Sequence, residues 1–437
     1  MIFTLISILI LLYGFINYKK SLMLFIIYQI FWYSTPIIKA GGLHLNTNLI
    51  LPFYFCVLFF LNRKKYTLSR IAFPYKMPFI FIIVVYILTC FFALSGFTPE
   101  FGRAIMKIFR DYLFIWLLWN VIETKEDFKF LFSGITVVIC VACLYGLFEY
   151  MEGRNPLLDY KVILSDNTIE VYNVLWSRGY RLVSLFEHPL GAGMTLGLYS
   201  IFVLYLWINK NNNLPHKYIA IISAILCLPC IVLTKMRSAI IFLLILAFVM
   251  INGKIFKKKR FYYILLLFML AMPLFFVVIS NNMDILMNLI SIDSSSAVGG
   301  SSLKMRLSQY EAIKEISKLS PWAGLGETFR NYIVYSSYTD AARGYESIWF
   351  EQLVMHGRLG VLCHILLLYY SVIKIPKRFK SKEVLVFSLA YWIIYSITSI
   401  PSFRIFLLYL AIFYFIKTSK EYKSCIETLD KSEYSGM

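Results

Sequence analysis

Apolar stretches long enough to cross a lipid bilayer recur along almost the whole chain, and they constrain the fold more than any other feature. About 20 apolar residues in a helix span the hydrocarbon core. Hydrophobic residues make up 59% of the 437 positions and charged residues only 15%. Because lipid supplies no hydrogen-bond partners, each spanning segment must satisfy its own backbone as a helix. The sequence therefore predicts an all-α polytopic membrane protein.

The hydropathy pattern predicts about 12–13 transmembrane helices packed as a bundle. Their predicted centres lie near Ile10, Ile27, Phe55, Val84, Trp116, Val138, Tyr199, Ile225, Ile245, Phe268, Leu366, Ile394 and Ile412.

Basic residues concentrate in alternate short loops, and this alternation predicts the orientation of the chain. The rich loops are residues 19–20, 63–76, 125–129, 210–217, 254–260 and 374–382, together with the tail after Phe415. Lys and Arg in short loops mark the cytoplasmic side. We therefore expect the N terminus outside and the C terminus in the cytoplasm. This pattern explains most of the net charge of +19, and anionic membrane lipids are a sufficient partner for it. No nucleic acid partner is therefore expected.

Two outward segments are too long to be simple connections, and they divide the chain. The predicted parts are N-terminal transmembrane helices (1–150), an extracytoplasmic loop (151–190), central transmembrane helices (191–280), a large extracytoplasmic loop (281–345), C-terminal transmembrane helices (346–418) and a cytoplasmic tail (419–437).

The chain shows no sign of a metal or cofactor site. Two CxxC pairs occur, Cys140/Cys143 and Cys227/Cys230, but both lie within apolar helical runs without nearby His or carboxylate residues. Cysteine in such a run behaves as a small hydrophobic residue, so packing is the favoured interpretation. Glycine-rich phosphate loops are also absent from the sequence. We expect no metal and no cofactor.

The large outer loop contains one segment with helical spacing. Leu303, Leu307, Tyr310 and Ile313 recur at helical intervals, Ser302 is a candidate N-cap, and Ser320-Pro321 ends the pattern. This predicts an amphipathic helix that lies on the membrane face or covers a cavity. A solvated linker helix has the same periodicity and stays an alternative.

Arginines accumulate on the predicted outer side, against the usual distribution of charge. They are Arg178, Arg181, Arg237, Arg306, Arg330, Arg343, Arg358 and Arg404. A guanidinium matches phosphate oxygens in two-point geometry. Snorkelling or a salt bridge with Glu346 or Glu351 is the alternative for any single one, and it is favoured for Arg330 and Arg343. For Arg237 a functional role is favoured, because the very short TKMRSAI connection holds this charge close to the bilayer.

Four segments in this order resemble the bacterial O-antigen polymerase (Wzy) and O-antigen ligase superfamily. They are RGYRLVSLFEHPLGAGMTLGL (178–198), LTKMRSAI (233–240), RLSQYEAIKEISKLSPWAGLGETF (306–329) and ESIWFEQLVMHGRLG (346–360). The shared features are an arginine-rich outer segment, a Thr-x-x-Arg junction, a Pro-x-x-Gly-x-Gly turn and a helix with two glycines three residues apart. The resemblance implies a GT-C-like helical bundle in the bacterial plasma (inner) membrane.

The resemblance also implies a function. Such a polymerase joins undecaprenyl-diphosphate-linked oligosaccharide repeat units outside the cytoplasm, for O-antigen or capsule, without a metal or nucleotide. Ligases of the superfamily usually carry a His-Asn pair where this chain has Glu346-Ser347, which favours the polymerase branch. A ligase remains the alternative within the superfamily, and a lipid-linked oligosaccharide flippase is the alternative from another class.

The implied chemistry assigns roles to particular residues. Arginines should stabilise the leaving diphosphate: Arg237 and Arg306 first, with Arg178 and Arg181 assisting or holding the second lipid. A base must take the proton of the acceptor hydroxyl; Glu346 is the first candidate and His188 or Glu187 follows. For Glu346, pairing with an arginine is an equally good interpretation. His356 and His364 lie within a span and are expected to pack there. Membrane lipids, a chain-length regulator and a flippase are the expected partners.

Overall fold

The structure of the protein is a computed structural model. The structure describes residues 2–31, 36–40, 43–62, 68–69, 71–164, 180–186, 188–208, 216–236, 239, 303–329, 347–397 and 405–434. Within these ranges the chain is almost entirely helical, which confirms the predicted all-α class.

The helices are numbered in chain order. They are α1 (Ile2–Ile16), α2 (Tyr18–Phe31), α3 (Thr47–Leu61), α4 (Lys76–Thr89), α5 (Phe97–Lys107), α6 (Phe114–Val121), α7 (Lys125–Glu152), α8 (Pro156–Leu164), α9 (Pro189–Ile208), α10 (Lys217–Leu233), α11 (Leu303–Ser317), α12 (Ile348–Tyr369), α13 (Ile375–Arg378), α14 (Lys382–Ile397), α15 (Ile405–Lys417) and α16 (Lys420–Tyr434). A 3₁₀ turn (Cys90–Phe92) follows α4, and π-helical segments join α5 to α6 (Ile108–Leu113) and α12 to α13 (Tyr370–Lys374).

One short antiparallel hairpin adds to the helices. Its strands are β1 (Pro36–Ala40) and β2 (Leu43–Asn46), with Ala40 opposite Leu43 and a register irregularity between Pro36 and Ile38. The hairpin follows α2 and precedes α3, where the sequence pattern indicated only an outer connection.

Among the described residues, three helices are long and apolar enough to cross a membrane: Lys125–Glu152, Pro189–Trp207 and Ile348–Arg378. Five shorter apolar helices accompany them: Leu5–Ile16, Ile50–Leu61, Lys76–Phe92, Lys217–Leu233 and Leu407–Lys417. Eleven of the predicted span centres lie within helices, whereas Ile245 and Phe268 lie outside the described residues. The total of 12–13 spans stays a prediction.

The chain divides into two units. The first combines residues 1–48 with 126–300, and the second combines 49–125 with 301–437. Each unit thus draws on separate parts of the chain. The predicted outer segment 151–190 belongs to the first unit, and the predicted loop 281–345 is divided between the two units after residue 300.

In the first unit, small residues let helices approach closely. A Cβ atom on Gly134 of α7 would lie 2.2 Å from Ile27 Cδ1 of α2. Further along α7, the buried thiols of Cys143 and Cys227 lie 3.6 Å apart as free cysteines. These contacts agree with the packing role predicted for the cysteine pairs.

The core of the second unit is aromatic and surrounds Trp119 of α6, which is fully buried. Its ring makes edge contacts with Phe73 and Phe413, at centroid distances of 6.2 and 5.1 Å. Offset and edge-on aromatic pairs add stability beyond the apolar area that they bury. Phe413 belongs to α15, so this cluster ties the C-terminal helices to α6.

Lys417 at the end of α15 closes the same core. Its side chain is only 7% exposed, and its ammonium donates to the carbonyl oxygens of Trp119 and Ile122, the latter at 2.8 Å. These carbonyls end helix α6 and have no partner within that helix. The ammonium also lies 4.5 Å from the centroid of the Trp119 ring.

Contacts between loops agree with the predicted alternation of the spans. Ser69 donates its backbone N–H to Asn120 and contacts Tyr422, and all three lie on the predicted cytoplasmic side. Leu94 donates its backbone N–H to the Leu325 carbonyl at 3.2 Å, and both lie on the predicted outer side. The absolute orientation of the termini stays a prediction.

Replacing Lys417 by Met should destabilise the second unit by about 2 kcal/mol, because two helix-terminal carbonyls would lose a charged donor inside the core. The measurement is the thermal unfolding midpoint of the protein purified in detergent. The signal is the fraction of protein that stays monodisperse as the temperature rises. Lys423→Met is the control, since Lys423 is exposed, and it should match wild type. Equal midpoints for the two variants would show that the Lys417 contacts do not contribute to stability.

Candidate functional site

Residues 320–326 of the predicted outer loop contact a break in helix α12. At Gly357 the backbone leaves helical geometry, with φ 62° and ψ −157°. The turn Ser320–Gly326 supplies the hydrogen bonds that the broken helix lacks. Leu325 and Gly326 donate to the carbonyls of Val354 and Met355 at 2.8 and 3.1 Å. Across the break, Arg358 and Leu359 donate to the carbonyls of Pro321 and Trp322 at 2.9 and 3.2 Å.

Glycine is required on both sides of this contact. Gly324 (φ 72°) and Gly357 (φ 62°) both have positive φ, which residues with a Cβ adopt only at a cost. A Cβ atom on Gly324 would lie 2.4 Å from the Met355 carbonyl carbon, and one on Gly357 would lie 2.4 Å from that of Trp322. The Pro-x-x-Gly-x-Gly turn and the two-glycine helix are therefore two halves of one backbone contact.

A buried carboxylate holds the end of this turn. Glu100 of α5 is 3% exposed and accepts the backbone N–H groups of Glu327 and Thr328, each at 2.9 Å. The Ser95 hydroxyl donates to the same carboxylate at 2.7 Å. A Cβ atom on Gly326 would lie 2.9 Å from Glu100 Cδ. Charge-assisted bonds of this kind fix the chain that leads from the turn towards Phe329.

A charged cluster lies beside Glu100. Lys107 Nζ donates to Glu327 Oε1 at 2.5 Å and lies 4.0 Å from Glu351 Oε1. It also lies 5.2 Å from the centroid of the Tyr86 ring. Sequence reasoning passed over Glu100 and Lys107. The signal was present, because TPEFGRAIMK places charged residues between two apolar runs on the predicted outer side.

His356 packs inside this unit, as predicted. Its ring stacks on Tyr86 at a centroid distance of 3.9 Å, and its Nδ1 lies 2.9 Å from Thr89 Oγ1. The Thr89 hydroxyl has a single proton, which it donates to the Tyr86 carbonyl at 3.1 Å. Nδ1 of His356 then carries the proton that is shared with Thr89. Nε2 is buried and has no hydrogen-bond partner among the described residues.

Helix α11 forms where the periodicity predicts it and packs against the broken helix. Ile313 and Ile316 are 2% and 6% exposed and belong to a core cluster with Leu325, Val354 and Met355. Tyr310 is 53% exposed. The helix thus covers the second unit with one face, and its first turn carries Arg306.

In the first unit, a second buried carboxylate holds the other outer segment. Glu149 of α7 is fully buried and accepts the backbone N–H groups of Val183 and Ser184 at 2.9 and 2.5 Å. The Tyr180 hydroxyl donates to Glu149 at 2.8 Å. Burial and the adjacent Glu149 carboxylate raise the pKa of Tyr180, so this phenol stays protonated and keeps donating.

This arrangement brings two predicted motifs together. Leu182 donates its backbone N–H to the Leu233 carbonyl at 3.0 Å. The neighbouring Arg181 is 2% exposed, and its Nη1 lies 3.6 Å from Met236 Sδ. Met236 directly precedes Arg237, so the arginine-rich segment lies against the Thr-x-x-Arg junction.

The predicted site residues are described to different extents. Arg181 and His188 are described in full, and Arg306 lies in α11 as a backbone position. Arg178, Arg237, Glu187 and Glu346 lie outside the described residues.

His188 has a structural task that affects its candidacy as a base. Its Nδ1 accepts the backbone N–H of Leu190 at 3.1 Å, at the start of α9. A neutral imidazole has one donor and one acceptor nitrogen, so Nε2 carries the proton. In this state Nδ1 is occupied by the Leu190 N–H and is not available to take a proton from an acceptor hydroxyl.

Ser347 takes the position that follows Glu346 and caps α12. Its hydroxyl accepts the backbone N–H of Trp349 at 3.3 Å. Serine is a preferred N-cap residue, since its oxygen replaces a missing helical acceptor. Glu346 therefore directly precedes the N-cap of the broken helix.

These helices define a multi-helix membrane protein. The O-antigen ligase family model matches residues 222–365. This range includes the Thr-x-x-Arg junction, α11, the glycine turn and the break in α12. No curated protein matches the chain. The match supports the O-antigen ligase/polymerase superfamily and a glycosyltransferase-like activity on lipid-linked oligosaccharide, and it does not distinguish a polymerase from a ligase.

Replacing Gly357 by Ala should destabilise the protein strongly, because it adds both left-handed strain and a backbone overlap with Trp322. Gly153→Ala is the matched control, since Gly153 has φ 63° but nothing within 4 Å of its Cβ position. Strain alone costs about 1–2 kcal/mol, and overpacking adds roughly 1–3 kcal/mol for Gly357 only. Thermal midpoints in detergent measure the difference. Equal losses for both variants would contradict the tight backbone contact.

Proposed function

We propose that this protein polymerises oligosaccharide repeat units carried on undecaprenyl diphosphate, on the extracytoplasmic side of the bacterial inner membrane. The growing glycan moves from one lipid diphosphate to a sugar hydroxyl of a second lipid-linked unit. The carbon–oxygen bond to the donor diphosphate breaks, and a glycosidic bond to the acceptor oxygen forms. The scheme requires no metal and no nucleotide.

One observation carries the proposal. The family match covers the Thr-x-x-Arg junction, and the buried Arg181 lies against Met236 of that junction at 3.6 Å. Two arginine-bearing motifs, about 55 residues apart in sequence, thus meet at a buried contact, which supports a role for them in binding a lipid diphosphate. Guanidinium groups are suited to phosphate oxygens because they form paired, charge-assisted hydrogen bonds.

In this mechanism the arginines act on the leaving group. Negative charge on the departing diphosphate grows as its carbon–oxygen bond to the sugar breaks, and fixed cations stabilise that charge. Arg237 and Arg306 take this role in the proposal, while Arg178 and Arg181 assist or hold the second lipid. Burial of Arg181 strengthens its electrostatic effect, because little water surrounds it.

Glu346 is the proposed base for the acceptor hydroxyl. A carboxylate within hydrogen-bond reach can accept that proton. Its competitor His188 uses Nδ1 to accept the Leu190 N–H, which favours Glu346. Position 346 directly precedes the capped start of α12, where the positive end of the helix dipole favours a charged carboxylate.

A ligase is the second candidate, because the matching family model carries that description. Ligases of the superfamily usually show His-Asn where this chain has Glu346-Ser347, and Ser347 serves as an N-cap here. We therefore favour the polymerase.

The test is to delete the gene in its host and size the lipid-linked and surface glycans. Single repeat units displayed outside, restored to long chains by the wild-type gene, would support a polymerase. Long polymer retained on undecaprenyl diphosphate would instead establish a ligase. Single units trapped on the cytoplasmic face would establish a flippase and overturn the proposal.

Arg237→Lys should abolish most polymer in the complemented deletion strain, although the positive charge is kept, because an ammonium cannot replace two-point phosphate contact. The measurement is glycan chain length at matched protein levels. Arg154→Lys is the control. Arg154 lies in the predicted outer segment 151–190, its side chain is 73% exposed, and it pairs with Asp159. Normal polymer with Arg237→Lys would refute the role given to Arg237.

A further inference from the structure

Arg358 places a positive charge within Ile348–Arg378, a stretch long and apolar enough to cross a membrane. It directly follows the break in α12 and its side chain is exposed. Its guanidinium carbon lies 5.1 Å from the centroid of the Trp322 ring. Among the residues that the structure describes, no carboxylate forms an ion pair with Arg358. An arginine within a spanning segment is costly and marks a functional site by default.

The backbone sets the position of this pair before any ligand arrives. The N–H groups of Arg358 and Leu359 donate to the carbonyls of Pro321 and Trp322. The positive-φ glycines on either side, Gly324 and Gly357, permit this close approach. Because the guanidinium already rests on the indole, a ligand that binds it loses less side-chain freedom on association.

An exposed apolar stripe runs from Arg358 along α12 and into the π-helical segment Tyr370–Lys374 that follows it. Its residues are Leu362 (47% exposed), Ile365 (48%), Tyr369 (46%) and Ile373 (51%). They recur every three or four positions, so they share one face of the helix. At 1.5 Å per residue, the stripe and Arg358 extend over about 22 Å. We call Arg358 together with these residues the α12 stripe.

A comparison with α7 shows what distinguishes this face. Helix α7 also exposes an apolar stripe, which includes Val137, Val141 and Phe148. The arginine that follows it, Arg154, donates to Asp159 at 2.8 Å. Its charge is thus already compensated, whereas the α12 stripe ends at a cation that has no ion pair among the described residues.

We propose that the α12 stripe binds the polyprenyl diphosphate lipid, with the phosphates on Arg358 and the hydrocarbon chain along the apolar residues. These features fit an amphiphile with an anionic head and a long apolar chain. The identity of the lipid rests on the proposed function. Arg358 is then a binding residue for the lipid carrier, separate from the catalytic arginines of the outer motifs.

The experiment measures lipid binding to the full-length purified protein by native mass spectrometry across a lipid concentration series. The probes are a polyprenyl diphosphate without sugars, the corresponding polyprenol and phosphatidylglycerol. Wild type should bind the diphosphate at least tenfold more tightly than the polyprenol. Arg358→Gln should weaken diphosphate binding about tenfold and leave polyprenol binding unchanged, because only the phosphates contact the guanidinium.

Two further variants complete the test. Arg358→Lys keeps the charge and should fall between wild type and Arg358→Gln. Arg154→Gln removes an outer arginine that is already paired, and it should bind the diphosphate like wild type. Equal diphosphate affinity for wild type and Arg358→Gln would overturn the proposal. So would an equal loss of phosphatidylglycerol binding in Arg358→Gln, which would identify a general site for phospholipid headgroups.

The lipid-binding proposal and the polymerase proposal can be refuted independently. Normal polymerisation with diphosphate binding that is independent of Arg358 would overturn only the α12 stripe. Arg358-dependent diphosphate binding in a protein whose deletion leaves polymer length intact would overturn the polymerase and retain the lipid site.

Discussion

The second unit depends on one set of backbone hydrogen bonds, those between the glycine turn and the break in α12. A spanning helix that loses its regular geometry leaves polar groups that lipid cannot satisfy. Here the turn residues 320–326 supply both donors and acceptors across the break at Gly357. The outer loop is therefore part of the membrane helix's own hydrogen bonding. This coupling positions α11, the start of α12 and the Trp322–Arg358 pair together.

In each of the two units, a buried carboxylate binds the backbone of a connecting segment. Glu149 and Glu100 each accept two consecutive backbone N–H groups and one hydroxyl. Each holds the ordered end of an outer segment. A carboxylate suits this task because its two oxygens accept several charge-assisted bonds at once. The described residues 180–186 and 320–329 are thus fixed to the helices that carry these carboxylates.

Much of the fold could be predicted from the sequence, because the solvent around the spanning segments is lipid. Lipid requires helices, so apolar runs predicted the spans, and α11 appeared from Leu303 as its periodicity indicated. The hairpin Pro36–Asn46 escaped prediction, because short strands leave no comparable signal. The roles of Glu100 and Lys107 also escaped it, since their partners Glu327 and Thr328 lie more than 200 positions away in sequence. Candidate residues such as Arg237 and Glu346 remain predictions from the motifs.

The sequence alone determined the helical membrane class, the order of the motifs and the residue types able to bind phosphate, because these depend on local composition and spacing. Only the tertiary structure decided which segments meet. It joined Arg181 to the Thr-x-x-Arg junction, inserted the glycine turn into α12, and left Arg358 beside Trp322 without an ion pair among the described residues. Such contacts depend on how distant helices pack, and no local pattern in the chain encodes them.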